Sequence, residues 1–261
     1  MPENAILTDV REGVLVATFN RPERMNTLSA ALTDGLIEML DFASKSDDVR
    51  VVVLTGAGRA WCAGAEIGGA GNGSEPSRFE RMGPSGSVAA QQAFAACDVP
   101  VVAAINGPAV GGGFGLAMCC DVRIAAESAR IGSIFIRRGL ATDYGAGFWL
   151  PRIVGVARAY EILYSGQPFP AREAMALGIV NRVVPDAELM TEAMAYAATI
   201  AKGPPLAYTA TRRIVQRSLE STIRDFPEYE WGLQAAMLRT DDGREGFKAF
   251  LEKREPEFKG R

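Results

Sequence analysis

The chain has 261 residues, of which 48% are hydrophobic, and this content is sufficient for a packed core. Its net charge of −3 gives no electrostatic basis for binding nucleic acid, and no apolar run is long enough to span a bilayer. Residues 1–20 carry several charges instead of a signal-peptide core, so we expect a soluble, cytoplasmic protein without membrane contact. The chain contains no histidine, which excludes histidine-based triads, histidine metal sites and imidazole bases. Proton transfer must therefore use carboxylates, tyrosines, lysines or water.

The first half of the chain alternates between strand and helix patterns. Val14–Phe19 is an apolar run bounded by turns and predicts a strand. Ser29 is placed to cap a helix. The apolar face of this helix consists of Leu32, Leu36, Leu40 and Ala43. Residues 49–55, apart from Arg50, and residues 101–105 are β-branched or apolar and predict strands buried on both faces. This alternation indicates an α/β fold.

Two later regions differ from this pattern. Residues 68–86 are glycine-rich and polar, and they predict either a mobile lid or a plain disordered connector. After residue 185 the strand signal disappears and helical periodicity takes over. The predicted helices cover residues 187–201, 206–218, 223–238 and 243–253. We therefore divide the chain into an α/β core, residues 1–185, and a helical C-terminal region, residues 186–261, which is suited to packing against another subunit.

The segment A-I-N-G-P-A-V-G-G-G-F-G-L-A-M-C-C-D, residues 104–121, is the most informative part of the chain. It predicts a buried strand, a turn and then a helix that starts at three consecutive glycines, Gly111, Gly112 and Gly113. The first N–H groups of such a helix are left uncovered, which favours an anion or a developing oxyanion. A tight strand–helix turn without a ligand would also explain the glycines. The adjacent Cys119 and Cys120 show no metal-ligand spacing and are interpreted as buried free thiols.

This segment and three others resemble the signature of the enoyl-CoA hydratase/isomerase (crotonase) superfamily. The other segments are N-R-P-E-R-M-N (residues 20–26), W-C-A-G-A-E-I (residues 61–67) and F-L-E-K-R (residues 250–254). The resemblance covers nearly the whole chain. It implies a crotonase-type spiral of repeated ββα units with a helical C-terminal region, assembled as a homotrimer or a dimer of trimers. It also implies an acyl-CoA thioester as substrate, with no separate cofactor and no metal.

The resemblance further implies an oxyanion hole made by the backbone N–H groups of Ala65 and Gly112. These donors would stabilise the enolate oxygen that forms from a CoA thioester. Small residues at these positions let the thioester approach the backbone closely. The expected lining residues are Ala63, Gly64, Gly111, Gly113, Gly115, Phe135 and Tyr144. For Arg24 the resemblance implies a contact with the CoA phosphates, and a solvated surface arginine is the alternative.

Two positions depart from the hydratases of this family. Those enzymes place one glutamate two residues after the glycine triplet and another in the following strand region, and together the two activate a water molecule. This chain has Gly115 and Phe135 at these positions. Neither side chain can transfer a proton, so ordinary two-glutamate hydration is not expected.

The segment of residues 138–152 supplies a candidate acid in place of the two missing glutamates. It resembles a stretch of enoyl-CoA isomerases, and Asp143 falls on their catalytic aspartate. We expect a carboxylate walled by Phe114, Phe135 and Tyr144 to be shielded from water, which favours its protonated form. Such a group could take a proton from the α-carbon of a β,γ-enoyl-CoA and return it to the γ-carbon. The alternative is that Asp143 caps a helix by accepting a nearby backbone N–H.

Several alternatives to the isomerase remain open. Hydration or another enolate reaction could use Asp143 with an ordered water molecule. Dehalogenation by an aspartate nucleophile is less favoured, because the related dehalogenases also need a histidine. A catalytically silent acyl-CoA binder would explain the two missing glutamates. Glu66 is a reserve acid–base candidate, although Glu66 and Asp121 both occupy positions typical of structural acids, and Phe148 and Trp149 are more typical of core than of pocket.

Overall fold

The computed structural model describes residues 5–66 and 86–261, and within these ranges the chain forms nine β-strands and ten α-helices. The strands are β1 (Ile6–Arg11), β2 (Val14–Phe19), β3 (Val51–Gly56), β4 (Val101–Ile105), β5 (Ala109–Val110), β6 (Val122–Ala126), β7 (Arg130–Gly132), β8 (Phe169–Pro170) and β9 (Arg182–Val184). The helices are α1 (Ala30–Lys45), α2 (Gly86–Ala96), α3 (Gly112–Cys119), α4 (Ala146–Val154), α5 (Val156–Ser165), α6 (Ala171–Ala176), α7 (Leu189–Ala201), α8 (Pro205–Ser218), α9 (Phe226–Met237) and α10 (Asp241–Glu252).

The main sheet has six strands in the order β1-β2-β3-β4-β6-β9. Strands β1 and β2 form an antiparallel hairpin, and every other neighbouring pair in this sheet is parallel. All five residues of β4 and the first five of β3 are buried, as expected for β-branched and apolar runs covered on both faces. Strand β1 was not predicted, because five of its six residues are exposed and its sequence lacks a regular apolar alternation.

A second, three-stranded sheet has the order β5-β7-β8. Strands β4 and β6 lie in the main sheet, whereas β5 and β7, which follow them directly in the chain, lie in the small sheet. Helix α3 follows the first of these strand pairs and helix α4 follows the second. The predicted repetition of a strand–strand–helix unit is therefore found, and one of these units carries the three glycines.

Different helices cover the two faces of the main sheet. On one face, residues of α1, α2 and α3 join the larger apolar core. On the other face, Ala193 and Ala197 of α7 pack with Val51, Val53 and Val102 of the central strands. Helix α7 lies beyond residue 185, so the predicted boundary between a core and a separate C-terminal region falls inside the packed core. The alanines of α7 supply the apolar surface that the second face of the sheet requires.

The remaining C-terminal helices follow the prediction closely. The starts and ends of α7 to α10 lie within three residues of the predicted ones. The buried Arg212 of α8 donates to the Asp121 carboxylate at 3.1 Å and to the carbonyl of Phe94 at 2.7 Å. Asp121 also accepts the N–H of Val101 at 2.8 Å, which confirms its structural role.

Three further predictions concern the glycine-rich segment, membrane-spanning helices and the cysteines. Of the predicted lid or connector, Gly86 begins α2 and residues 68–85 lie outside the described residues. Among the residues that the structure describes, no helix combines the length and the apolar character needed to cross a membrane. All four cysteines are buried and free, as predicted for Cys119 and Cys120.

Candidate active site

Helix α3 starts at an unusually bare N-terminus. Gly111 precedes it with φ of 58° and provides no side-chain cap. All eight residues of the helix are buried. A Cβ at Gly113 would lie 2.1 Å from the carbonyl oxygen of Cys62, so only glycine allows this close packing. Within the described ranges the Gly112 N–H has no hydrogen-bond partner, and it is available to a ligand.

The second predicted donor, Ala65, lies on a short extended segment beside Leu28. The Leu28 N–H donates to the carbonyl of Gly64 at 2.8 Å, and the Glu66 N–H donates to the carbonyl of Leu28 at 3.2 Å. This parallel bridge pairs Leu28 with Ala65 and turns the N–H of Ala65 away from Leu28. Among the residues with described structure, that N–H also has no acceptor.

The two donor segments are in direct contact. Gly64 has φ of 95°, and a Cβ placed on it would lie 3.3 Å from the Gly112 nitrogen. A Cβ on Gly111 would lie 3.7 Å from the Gly64 Cα. The structure therefore brings together the predicted residues Gly64, Ala65, Gly111 and Gly112, and two N–H groups without an acceptor among the described residues lie on adjoining backbone segments. This arrangement can hold one oxygen that carries negative charge.

Tyr144 covers the glycine helix from the outside. A Cβ on Gly112 would lie 3.0 Å from Cδ2 of the Tyr144 ring. A Cβ on Gly115 would lie 2.5 Å from the Tyr144 Cβ and 2.7 Å from the Asp143 carbonyl oxygen. The backbone of Asp143 and Tyr144 thus fills the space in which a side chain at position 115 would have to begin. A glutamate cannot occupy this position without a backbone shift.

The Tyr144 phenol is half-buried. Burial, followed by the nearby Asp143 carboxylate, raises the pKa of Tyr144, while a hydrogen bond with Thr33 acts in the opposite direction. The phenol therefore stays protonated at neutral pH. Tyr144 has φ of 55°, a left-handed conformation that is rare for residues with a Cβ.

Asp143 occupies a different environment from the predicted one. Its side chain is exposed, because Phe114 is buried in the core and Phe135, at the start of a 3₁₀ turn (Phe135–Arg138), is only half-buried. The predicted aromatic walls do not enclose it in the free protein. The helix-cap alternative is also wrong, since the carboxylate accepts the N–H of Tyr144 at 2.7 Å and does not cap α4. Within the described residues Asp143 forms no ion pair.

The other acid near the donors, Glu66, is engaged by a cation. Arg21 Nη1 donates to Glu66 Oε2 at 3.1 Å, and Arg24 Nη1 lies 4.0 Å from Glu66 Oε1. The hydrogen bond from Arg21 holds the pKa of Glu66 below its ordinary value. The Arg24 side chain is 65% exposed, so its guanidinium is accessible to a ligand.

Arg21 is the main residue that the sequence analysis did not select. Its side chain is only 13% exposed, and it lies in the N-R-P-E-R-M-N segment. The predicted ligand contact of this segment was Arg24. The only signal was that both arginines belong to a segment resembling the family. Ala63, another predicted residue, donates its N–H to the carbonyl of Met25 in this segment at 3.1 Å.

The remaining candidates divide between core and surface. Phe148 and Trp149 form an edge-to-face pair with ring centroids 5.0 Å apart, and Arg152 stacks on Phe148. Burial raises the pKa of the Cys62 thiol to about 12, so Cys62 is not a nucleophile despite its proximity to Gly113. No group of three or more histidine, cysteine, aspartate or glutamate side chains in the described parts of the chain is arranged to hold a metal ion.

The fold and the site define an α/β protein of repeated strand–strand–helix units, with two adjoining backbone donors that have no acceptor within residues 5–66 and 86–261. The enoyl-CoA hydratase/isomerase family matches residues 9–261. A probable enoyl-CoA hydratase of Rhodobacter capsulatus is 38% identical over the whole of both chains. The chain belongs to the enoyl-CoA hydratase/isomerase family.

Solved structures agree with this assignment. Enoyl-CoA hydratase from Bacillus anthracis superposes with a TM-score of 0.91 and 34% identity, covering 98% of this chain and 100% of its own. The fold is thus the crotonase fold, as predicted. Relatives carry mostly hydratase names, but 1,2-epoxyphenylacetyl-CoA isomerase of Escherichia coli is 32% identical over 98% of both chains.

Proposed function

We propose that this protein shifts the double bond of an enoyl-CoA through a thioester enolate. Membership of a family that includes hydratases and isomerases supports an acyl-CoA thioester as the substrate. The N–H groups of Ala65 and Gly112, which have no acceptor in the described parts of the chain, would donate to the thioester oxygen as it gains negative charge. Coenzyme A is then part of the substrate, and the reaction needs no separate cofactor.

The close contacts around Gly115 are the main observation that favours isomerisation over hydration. Hydration by the two-glutamate route would need a carboxylate at position 115, where the backbone of Asp143 and Tyr144 leaves no room for a side chain. At the second position Phe135 has no ionisable group. The site therefore lacks the pair of acids that would hold and activate a water molecule.

Asp143 is the acid–base group in this proposal. Of the two candidate acids, Glu66 is bound by Arg21, whereas Asp143 has no cationic partner within the described ranges. The Asp143 carbonyl lies against Gly115, one helical turn after Gly112. The bound acyl group would supply the shielding from water that the free protein does not provide.

The reaction is then a proton shuttle with one base. The Asp143 carboxylate takes the α-proton of a β,γ-enoyl-CoA, and the resulting dienolate carries its charge on the thioester oxygen. The N–H groups of Ala65 and Gly112 stabilise that oxygen. The carboxylic acid of Asp143 returns the proton to the γ-carbon, which gives the α,β-enoyl-CoA and restores the carboxylate.

Other residues complete the substrate site in this proposal. Gly64, Gly111 and Gly113 let the thioester approach the backbone, while Phe135 and Tyr144 contact the acyl group. Ala63 is a small residue at the start of the donor segment and leaves room for the substrate. The exposed guanidinium of Arg24 is accessible to the phosphates of coenzyme A.

We also propose a homotrimer or a dimer of trimers. Helix α9 contains no buried residue, and the C-terminal region exposes large apolar side chains on its helices and in the turn before α9. These side chains are Ile223, Trp231, Phe247, Phe250 and Leu251. A surface of this kind is typical of a subunit interface. Light scattering of the purified protein tests the assembly, and a monomer at micromolar concentration would contradict it.

The test of the reaction is α-proton exchange in deuterated water over saturated, α,β-unsaturated and β,γ-unsaturated acyl-CoAs. We expect exchange and double-bond migration in the wild type and a loss of about 100-fold or more in Asp143→Asn, as for removal of a general base. Asp34→Asn, an exposed aspartate on α1, is the matched control and should keep full activity. Exchange that survives in Asp143→Asn would contradict the assignment of the base.

Hydration is the second candidate, because most relatives carry hydratase names. It would use Asp143 with an ordered water molecule, and mass spectrometry of the product distinguishes it from isomerisation. A hydrated product gains one water, whereas an isomerised product changes only its isotope content. Tight binding of acyl-CoAs without exchange in any of them would instead identify a silent binder.

A further inference from the structure

We infer that Arg21 and Glu66 form a clamp that fixes the direction of the Ala65 N–H, which makes Arg21 a positioning residue for the oxyanion hole. The inference rests on the proposed function, because it assumes that Ala65 donates to the thioester oxygen. It assigns a role to the two charged residues that the proton shuttle does not use.

The Arg21 side chain connects the two segments that pair around Ala65. Its Nη1 donates to the carbonyl of Thr27 at 3.0 Å and to Glu66 Oε2 at 3.1 Å. Thr27 directly precedes Leu28, and Glu66 directly follows Ala65. One guanidinium therefore holds the neighbours of both residues of the Leu28–Ala65 bridge.

The bridge determines where the Ala65 N–H points. The two hydrogen bonds that flank it, from Leu28 to Gly64 and from Glu66 to Leu28, are 2.8 and 3.2 Å long. If the Glu66 end moved away from Leu28, the second bond would be lost and Ala65 could rotate. Backbone donors stabilise a transition state only when they already point at the developing charge. The ion pair thus protects an orientation on which the chemistry depends.

Arginine is required for this task because it must reach two acceptors on different segments. Its planar fork can direct separate N–H groups at a carbonyl and a carboxylate, whereas lysine presents a compact charge. The position also excludes water well, since Arg21 is largely buried and Glu66 is 26% exposed. Glu66 is committed to this pair, which argues against its use as the acid–base group.

Hydrogen bonds of Asn26 hold the surrounding turn in addition to those of the Arg21 side chain. Asn26 is fully buried, and its Nδ2 donates to the carbonyls of Ala57 at 2.9 Å and Ala60 at 2.7 Å. Its Oδ1 accepts the backbone N–H of Arg21 at 2.8 Å, a bond that any residue at position 21 other than proline retains. A substitution of the Arg21 side chain should therefore loosen the bridge without unfolding the turn.

The experiment is isotope-edited infrared spectroscopy of butyryl-CoA carrying ¹³C at the thioester carbonyl, bound to the wild type and to Arg21→Met. Hydrogen bonds from the oxyanion hole lower the carbonyl stretching frequency. We expect a clear downshift in the wild type, loss of most of it in Arg21→Met, and only partial recovery in Arg21→Lys. Arg59→Met is the matched control, because the exposed Arg59 reaches the same turn through the Met25 sulfur at 3.5 Å but bonds neither Thr27 nor Glu66, so it should keep the full downshift.

Two outcomes would overturn the inference and are distinguishable. If Arg21→Met shows the same downshift as the wild type, the clamp is refuted and the proposed function is unaffected. A wild-type spectrum without any downshift removes the oxyanion hole and the clamp together. If Arg21→Met does not fold, Glu66→Gln decides the question. Glutamine keeps an acceptor for Arg21 but loses the charge, so a partial loss of the downshift is expected and an unchanged frequency would refute the clamp.

Discussion

Helix α1 contacts Tyr144 through Thr33, and helix α3 contacts it through Gly112 and Gly115. The two helices differ in how their first backbone N–H groups are satisfied. Helix α1 has 16 residues, begins with a cap in which Ser29 accepts the N–H of Leu32 at 3.3 Å, and buries one apolar stripe. Helix α3 has eight residues, all of them buried, and begins without a side-chain cap. The Ser29 cap satisfies the Leu32 N–H of the first helix, whereas the second leaves the Gly112 N–H without a partner in the described structure.

This difference shows where the molecule gives up stability for function. A buried N–H without an acceptor costs about 1–3 kcal/mol, and a cap such as that of α1 avoids this cost. Helix α3 is buried on all sides and still retains the open donor. Its glycines serve close approach, first to the backbone of Cys62 and then to Tyr144. Changes that would be harmless in α1 should therefore be damaging in α3.

The largest effect is expected for Gly115→Ala in α3. Its Cβ would lie 2.5 Å from the Tyr144 Cβ and 2.6 Å from the Tyr144 carbonyl oxygen, so a segment of backbone has to move. We expect the free energy of unfolding to fall by about 2–3 kcal/mol, as for other overpacked cores. Proton exchange should fall as well, because Asp143 moves with Tyr144. Urea unfolding and the exchange assay measure both effects, and unchanged stability would show that the segment of residues 143–144 yields easily.

Much of the fold was predictable because the relevant signals are local. The Ser29 cap with its apolar stripe, the β-branched run of β3 and the four C-terminal helices each depend on neighbouring residues. The edge strand β1 was not predictable in this way, since pairing with β2 and not burial makes it a strand. The role of α7 in covering the sheet was also hidden, because a boundary in secondary-structure pattern need not coincide with a boundary in packing.

Only those residues of the candidate site that lie in motifs resembling the family could be predicted from the sequence. The resemblance supplied Ala65, Gly112 and Asp143, and the structure brings the two donor segments together. The environment of Asp143 could not be deduced, because it depends on how far Phe114 and Phe135 are drawn into the core. Arg21 and Glu66 are 45 residues apart in the sequence, and no local sequence pattern predicts that they pair.

A smaller effect is expected for Ser29→Ala at the start of α1. The substitution removes the acceptor of the Leu32 N–H and should lower the free energy of unfolding by about 1 kcal/mol. The chemistry should not change, because the hydrogen bonds of Ser29 in the described structure reach only Leu32 and Thr33 of its own helix. Urea unfolding and α-proton exchange, measured in parallel with Gly115→Ala, test this separation. A loss of exchange larger than the loss of stability would mean that α1 also shapes the site.

Gly35→Ala provides the matched counterpart to Gly115→Ala, since both positions are glycines inside helices. A Cβ at Gly35 would lie 3.6 Å from Ile6 Cγ1, an ordinary van der Waals contact. Replacing a helical glycine with alanine should therefore raise the free energy of unfolding by about 0.5–1 kcal/mol. The same substitution thus has opposite signs in the two helices. Destabilisation by Gly35→Ala would show that helix packing near β1 is tighter than the structure indicates.

The smallest effect concerns Cys119, on the last turn of α3. Burial raises its pKa to about 12, well above the value of about 8.5 for a free thiol. The thiol therefore stays protonated in the folded state, and iodoacetamide should not label it in the native protein even at about pH 9, while the unfolded chain reacts readily. Because the folded pKa is the higher one, the stability that this group contributes is complete below about pH 8.5 and declines as the pH rises further. Mass spectrometry after labelling in buffer and in concentrated urea measures the contrast. Rapid labelling in buffer would mean that α3 opens by itself, and a helix that opens so easily could not hold Gly112 in a fixed direction for catalysis.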